Sequence, residues 1–185
     1  MIIDKTDLSS INLTTEKLLS GEVVIIPTDT VYGFSGIVKP DFNTDKKIRK
    51  IKGREEEKPF IQLISSPEEI YKYTKDEIPE NLFNKWPGAL TIIVNDIRGG
   101  TTAFRCPQDL WLLEILKNVK YPLYSTSVNK SGCPILENIC DIESVFEKDV
   151  ALIVKDGDKK NALPSTLVKI ENGNVVILRQ GSVKI

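Results

Sequence analysis

The sequence predicts an α/β fold (α+β in some classifications), a twisted mixed β-sheet flanked by helices. Three observations lead there. Short β-branched runs such as Val23–Ile26 and Thr91–Val94 alternate along the chain with amphipathic segments such as Leu110–Val119, which is the pattern of helices packed on a mixed sheet. The last strands read as a hairpin, Pro164–Ile170 and Val175–Arg179 around Glu171-Asn172-Gly173-Asn174. No repeat, low-complexity tract or linker interrupts the 185 residues, so 1–185 reads as a single domain with ample core.

Taken in order, Asn12–Leu19 has the marks of a helix, with Asn12 or Thr14 as cap and Gly21 as stop. The apolar run Val23–Ile26 is a buried strand that Pro27 ends, because proline cannot donate to a ladder. Asn43–Lys52 is an amphipathic helix, with Ile48 and Ile51 on one face and a basic remainder. Gly53 breaks it, and Phe60–Ile64 is a strand. Ser66-Pro67-Glu68-Glu69 reads as a capped helix start. Trp86-Pro87-Gly88 turns the chain into the strand that ends at Val94, and Gly99–Cys106 is a loop running into a short strand stopped by Pro107. Leu110–Val119 is a helix, Leu123-Tyr124 begins a strand, Ile142–Phe146 is a short helix, and Ala151–Val154 is a strand.

Composition narrows the chemistry. The chain is 41% apolar and 28% charged with a formal net charge of −1, so no overall basic field points to nucleic acid. It contains no histidine, which excludes Ser-His-Asp and Cys-His catalysis and argues against a zinc site. Cys106, Cys133 and Cys140 form no CxxC pair and read as reduced thiols. No run approaches a membrane span and the first residues lack a signal-peptide pattern, so the expectation is a cytoplasmic protein without a membrane partner. The remaining equipment is hydroxyls, amides, carboxylates, Lys and Arg, which suits phosphate handling.

Three polar clusters at expected strand exits stand out: Pro27-Thr28-Asp29-Thr30-Val31-Tyr32-Gly33, Ser125–Gly132 and Pro164–Val168. Each reads equally as turn or cap chemistry. Lys52-Gly53-Arg54 beside a strand forms a possible anion clamp, since Arg offers a planar fork and Lys a point charge. Carboxyl ends of strands are where open α/β sheets place their sites, so the clusters together suggest a concave polar cavity. Neither GxGxxG nor GxxxxGK[ST] is present.

The ordered motifs PTDTVYGF, IKGREEEKPF, WPGALTIIV, TTAFRCP, STSVNKSGCP, PSTLV and ILRQG cover nearly the whole chain. In this order they resemble the YrdC-like threonylcarbamoyl-AMP synthases, in the short, single-domain form. The resemblance implies an enzyme that joins L-threonine, bicarbonate and ATP into threonylcarbamoyl-AMP and pyrophosphate, with Mg²⁺ accompanying ATP. The product would pass to the tRNA threonylcarbamoyl transferase machinery, with direct tRNA contact possible. By the same resemblance Thr30, Arg105 and Ser165 would hold threonine. Lys52, Arg54, Ser127 and Asn129 would grip the ATP phosphates and act as the catalytic set, and Thr101 and Arg179 would also contact ATP. The chain departs from the family pattern at Glu55 (usually proline), Phe34, Val128, Lys58 and Lys169. The competing readings are a non-catalytic tRNA or double-stranded RNA-binding module of the same fold and, third, a carbamoyl-transfer enzyme of the hydrogenase-maturation kind.

Overall fold

A computed structural model describes residues 1–54, 59–171 and 173–185. The glutamate run, Lys58 and the turn residue Asn172 lie outside the described residues, and with them the expectation that the KGREEEKP loop closes over substrate. The strands are β1 (Ile2–Asp4), β2 (Val24–Ile26), β3 (Gly33–Ile37), β4 (Ile61–Leu63), β5 (Leu90–Asn95), β6 (Thr101–Arg105), β7 (Leu123–Ser127), β8 (Leu152–Lys155), β9 (Thr166–Glu171) and β10 (Asn174–Arg179). The helices are α1 (Ser10–Leu19), α2 (Thr44–Lys52), α3 (Glu80–Phe83), α4 (Leu110–Val119) and α5 (Ile139–Phe146). All described strands join one mixed sheet in the order β1-β8-β2-β3-β7-β4-β6-β5-β9-β10.

Alternation along β2 assigns the helices to faces. Val24 and Ile26 pack with Leu18 of α1 and Leu112, Ile115 and Leu116 of α4. Ile25 turns the other way, toward Ile48 of α2 and Ile142 and Phe146 of α5. A third core gathers Leu90, Ile92, Phe104 and Val168 from β5, β6 and β9 under Leu82 and Trp86.

Several boundaries differ from expectation for local reasons. Helix α1 starts at Ser10, so Asn12 and Thr14 lie inside it, and Thr14 is buried. Helix α5 starts earlier, at Ile139, where the Asn138 side chain accepts from the Cys140 and Asp141 N–H groups. Pro67–Lys72 is a 3₁₀ turn that Ser66 does not cap, and the Glu69 carboxylate instead accepts from the Ser65 N–H and hydroxyl. Thr28-Asp29-Thr30 caps no helix; β3 follows it directly. Gly53, at φ 62, ends α2 in the left-handed conformation that glycine adopts without a Cβ clash.

Candidate active site

Helix cover stops part-way along the sheet. On β3, β7 and β4 the residues Ile37, Leu123 and Leu63 belong to the core beneath α1 and α4. Two residues further along the same face, register aligns Ser35, Ser125, Ile61, Ala103 and Ile93 across five strands. The change from large apolar to small and polar side chains leaves a cavity of about 590 Å³. Thr30, Arg54, Arg105, Ser127, Ser165 and Arg179 are among its lining residues, and among the described residues no carboxylate is.

At one end, Arg105 is buried at the close of β6. Its Nε donates to the Gly88 carbonyl (3.1 Å), Nη1 to the Thr30 hydroxyl (2.8 Å) and Nη2 to Asp29 Oδ1 (2.5 Å). A guanidinium has five N–H donors. Two therefore remain, one on each terminal nitrogen, which is the geometry of a carboxylate fork. The Thr30 hydroxyl lies 3.0 Å from that of Thr28, which itself donates to the Val31 carbonyl. The Thr30 proton is thereby committed to Thr28, so toward a ligand Thr30 only accepts.

Ser165 sits opposite, its hydroxyl 2.7 Å from that of Thr91. Arg179 donates to the Ser165 carbonyl from Nε (3.1 Å) and Nη2 (2.9 Å). Desolvation and the nearby Arg105 charge lower the Arg179 pKa. An arginine whose charge is disfavoured by burial and by a second guanidinium nearby marks a place for an anion. The register slips between Ile177 and Arg179 in β10, a bulge that brings both Leu178 and Arg179 to the cavity.

At the other end, Lys52 is buried at the C-terminus of α2. Its ammonium donates to the Ser127 carbonyl (2.6 Å), the Asn129 carbonyl (3.1 Å) and Asn129 Oδ1 (2.8 Å). Ser127 Oγ donates to the same Oδ1 (2.8 Å). Burial first and the Arg54 charge second bring the Lys52 pKa down to about 8. The Arg54 guanidinium lies over the Phe60 ring, 5.1 Å from its centroid. Tyr32, on the floor, donates to the Gly157 carbonyl (2.7 Å) and accepts from the Asp156 N–H (2.7 Å); burial pushes its pKa to about 12.

The fold thus gathers Thr30, Arg54, Arg105, Ser127, Ser165 and Arg179 around one cavity, while Lys52 and Asn129 stand behind its wall and reach it only through Ser127. Thr101 is outside the lining: it is exposed at the far end of β6, two residues beyond Ala103 on the same face. At ~3.3 Å per residue it lies ~13 Å from Arg105, so one ligand reaches both only if it is extended. Pro164 and Ser165 stand at the entrance of β9 rather than at a strand exit, because β9 runs parallel to β5 and starts beside Ala89. The sequence reading missed Asp29 as partner of Arg105, Thr91 as partner of Ser165, and Leu178. A carboxylate one residue from Thr30 was a visible signal for the first; the others depend on register. Among the described residues no group of three His, Cys, Asp or Glu side chains could hold a metal.

Comparison with known proteins places the fold in a family. A family model for the Sua5, YciO and YrdC proteins, described as "Telomere recombination", matches residues 16–181. The chain belongs to this family. Among Sua5/YciO/YrdC relatives, a Pseudoalteromonas translucida protein named threonylcarbamoyl-AMP synthase is 28% identical over 92% of this chain and 98% of its own. A Pyrococcus abyssi protein of the same name is 32% identical over 87% of this chain. The chain spans about half of that relative's length, 51%. P. abyssi Sua5 complexed with L-threonine superposes with a TM-score of 0.87 at 25% identity, over 98% of this chain and 57% of that one. E. coli YciO, at 23% identity and TM-score 0.82 over 98% of this chain and 93% of its own, shares the fold. Among the described residues no helix is long and apolar enough to cross a membrane.

Proposed function

We propose that the chain is an L-threonylcarbamoyladenylate synthase, joining L-threonine, bicarbonate and ATP into threonylcarbamoyl-AMP and pyrophosphate. The observation that carries this reading is a single cavity lined by Arg105 at one end and by Arg54 and Ser127 at the other, with Lys52 and Asn129 bonded behind Ser127. The amino-acid-binding end is supported by the two unused N–H groups of Arg105, which match a threonine carboxylate. Thr30, able only to accept, suits the amino group. Ser165, paired with Thr91, would meet the side-chain hydroxyl, and a site built on such a contact discriminates against analogues lacking it.

In the reaction the threonine amine attacks bicarbonate, losing water to give a carbamate. A carbamate oxygen then attacks the ATP α-phosphorus in line, and pyrophosphate leaves. Two anions meet in this step, so the requirement is positioning and positive charge rather than a protein nucleophile. Lys52 supplies charge and fixes Ser127 and Asn129; Arg54 and Arg179 face the polyphosphate and nucleotide. Mg²⁺ would arrive on the triphosphate and neutralise part of its charge. The product's acyl phosphate is reactive and calls for a downstream acceptor, the tRNA threonylcarbamoyl transferase machinery.

The test is pyrophosphate release from ATP and Mg²⁺, with and without L-threonine and bicarbonate. Release that requires both, and is lost in Lys52→Ala and Arg54→Ala, is the expected result. Release indifferent to threonine would reassign the acceptor. No release, combined with salt-sensitive RNA affinity, would replace the enzyme with an RNA-binding module.

A further inference from the structure

A second cavity, of about 380 Å³, lies apart from the first and is lined by Glu22, Lys47, Lys50, Lys130, Lys148 and Asp149 beside Val23, Ile51 and Ala151. Four lysines against two carboxylates leave a local surplus of two positive charges (4 − 2), in a chain whose net charge is −1. The lysines come from three places: α2, the loop after β7, and the turn between α5 and β8. Lys47 donates to the Gly21 carbonyl (2.8 Å) and Lys130 to the Ile51 carbonyl (2.7 Å), contacts that hold the ammonium groups at the rim without neutralising them. Asp149 is 3.9 Å from Lys130, at the limit of an ion pair. Lys50 and Lys148 have no acceptor within reach among the described residues.

Like charges brought together around a concavity repel, and the concavity concentrates their field on whatever anion enters. Lysine is a compact, strongly hydrated point charge on a flexible stem, suited to phosphate oxygens approached from several directions. The volume is that of a small-ligand site.

We propose that this cleft is a second anion site, for a phosphate-bearing ligand, separate from the nucleotide cavity. Free polyphosphate and the phosphodiester backbone of a nucleic acid share this chemistry. The site adjoins the clamp through neighbouring residues: Lys130 faces the cleft while Asn129 holds Lys52, and the Ser131 N–H donates to the Lys52 carbonyl (2.8 Å). The proposal does not depend on the synthase reading, since it concerns binding at residues that reading leaves unused.

The experiment titrates tripolyphosphate into the full chain by calorimetry, for the wild type, Lys50→Ala/Lys148→Ala and Arg54→Ala. Both lysines are exposed, so the double variant keeps its core, and a melting curve checks this. Two sites are expected in the wild type, one weakened about tenfold or more in the double variant and the other in Arg54→Ala. A fluorescent single-stranded RNA, followed by anisotropy across a KCl series, separates the sources. If the backbone is the ligand, the salt slope of RNA binding flattens by about 1 to 2 in the double variant. Tripolyphosphate binding lost with RNA binding unchanged assigns the site to free phosphate. A tripolyphosphate isotherm and an RNA salt slope that both match the wild type in the double variant overturn the proposal, as does a single tripolyphosphate site lost in Arg54→Ala alone with the RNA slope unchanged.

Discussion

Replacing Arg105 with lysine isolates the fork from the charge. The guanidinium commits three of its five N–H groups to Gly88, Thr30 and Asp29, which leaves two for a ligand. A lysine keeps the ion pair with Asp29 but has three donors radiating from one atom. It reaches at most one of the two ligand oxygens and leaves the Gly88 carbonyl without its partner. One charge-assisted hydrogen bond contributes about 1.5–3 kcal/mol, so threonine affinity should fall roughly ten- to hundredfold. Orphaning a buried carbonyl costs about 1–3 kcal/mol, so the urea midpoint should also drop. Calorimetric titration with L-threonine measures the first and urea unfolding the second. Threonine affinity within about twofold of wild type would refute the carboxylate fork. An unchanged threonine affinity with weakened ATP binding would move Arg105 to the nucleotide end.

Three further outcomes follow from the same geometry. Because the Lys52 pKa is lowered from 10.5 to about 8, the folded state releases this proton before the unfolded chain does. Its share of stability therefore rises with pH between about 8 and 10.5, while ATP affinity falls above about 8 as the charge is lost, and Lys52→Met should abolish both slopes in urea and ATP titrations run across that range. A Cβ on Gly181 would lie 2.1 Å from the Pro164 carbonyl and 2.6 Å from Ser165 backbone; Gly181→Ala should cost about 1–3 kcal/mol in urea unfolding and raise the KM for threonine by displacing Ser165, and a wild-type KM would count against Ser165. Cys106 is buried, its thiol pushed up to about 12, whereas Cys133 and Cys140 are exposed. Brief alkylation of the native protein followed by mass spectrometry should modify the latter two alone.

Much of this was legible in one dimension. Leu110–Val119 matches α4 residue for residue because its apolar spacing has one helical solution. The closing hairpin was equally plain from its turn residues. Helix starts were less so: Ser10 and Thr14 are polar residues buried against the core, and no periodicity announces a hydroxyl that turns inward. At the site, the gathered residues were readable as types, but their pairings were not. Leu123, Ser125 and Ser127 share one face of β7, yet the run LYSTSV shows no clean alternation, because the cavity replaces half the expected apolar face with serine. Whether Arg179 faces the cavity turns on a bulge of one residue, and a one-residue slip moves a side chain to the opposite face.

The same register argument sharpens the role of Lys52. An ammonium has three N–H donors, and all three here go to Ser127 and Asn129. Asn129 is in turn fixed by its amide, which donates to the Lys130 (3.0 Å) and Cys133 (2.7 Å) carbonyls. A residue so committed cannot also grip a phosphate without giving up a bond it already makes. In the proposed reaction its effect on the polyphosphate would therefore be exerted through charge and through the shape it imposes on the loop after β7. Arg54 lies over the Phe60 ring and lines the cavity itself. In the proposed reaction the two cations of the Lys-Gly-Arg turn would divide the work, one ordering the loop and the other lining the cavity that takes the ligand. Gly53 makes the division possible by ending α2 between them, so that the two side chains leave the helix in different directions.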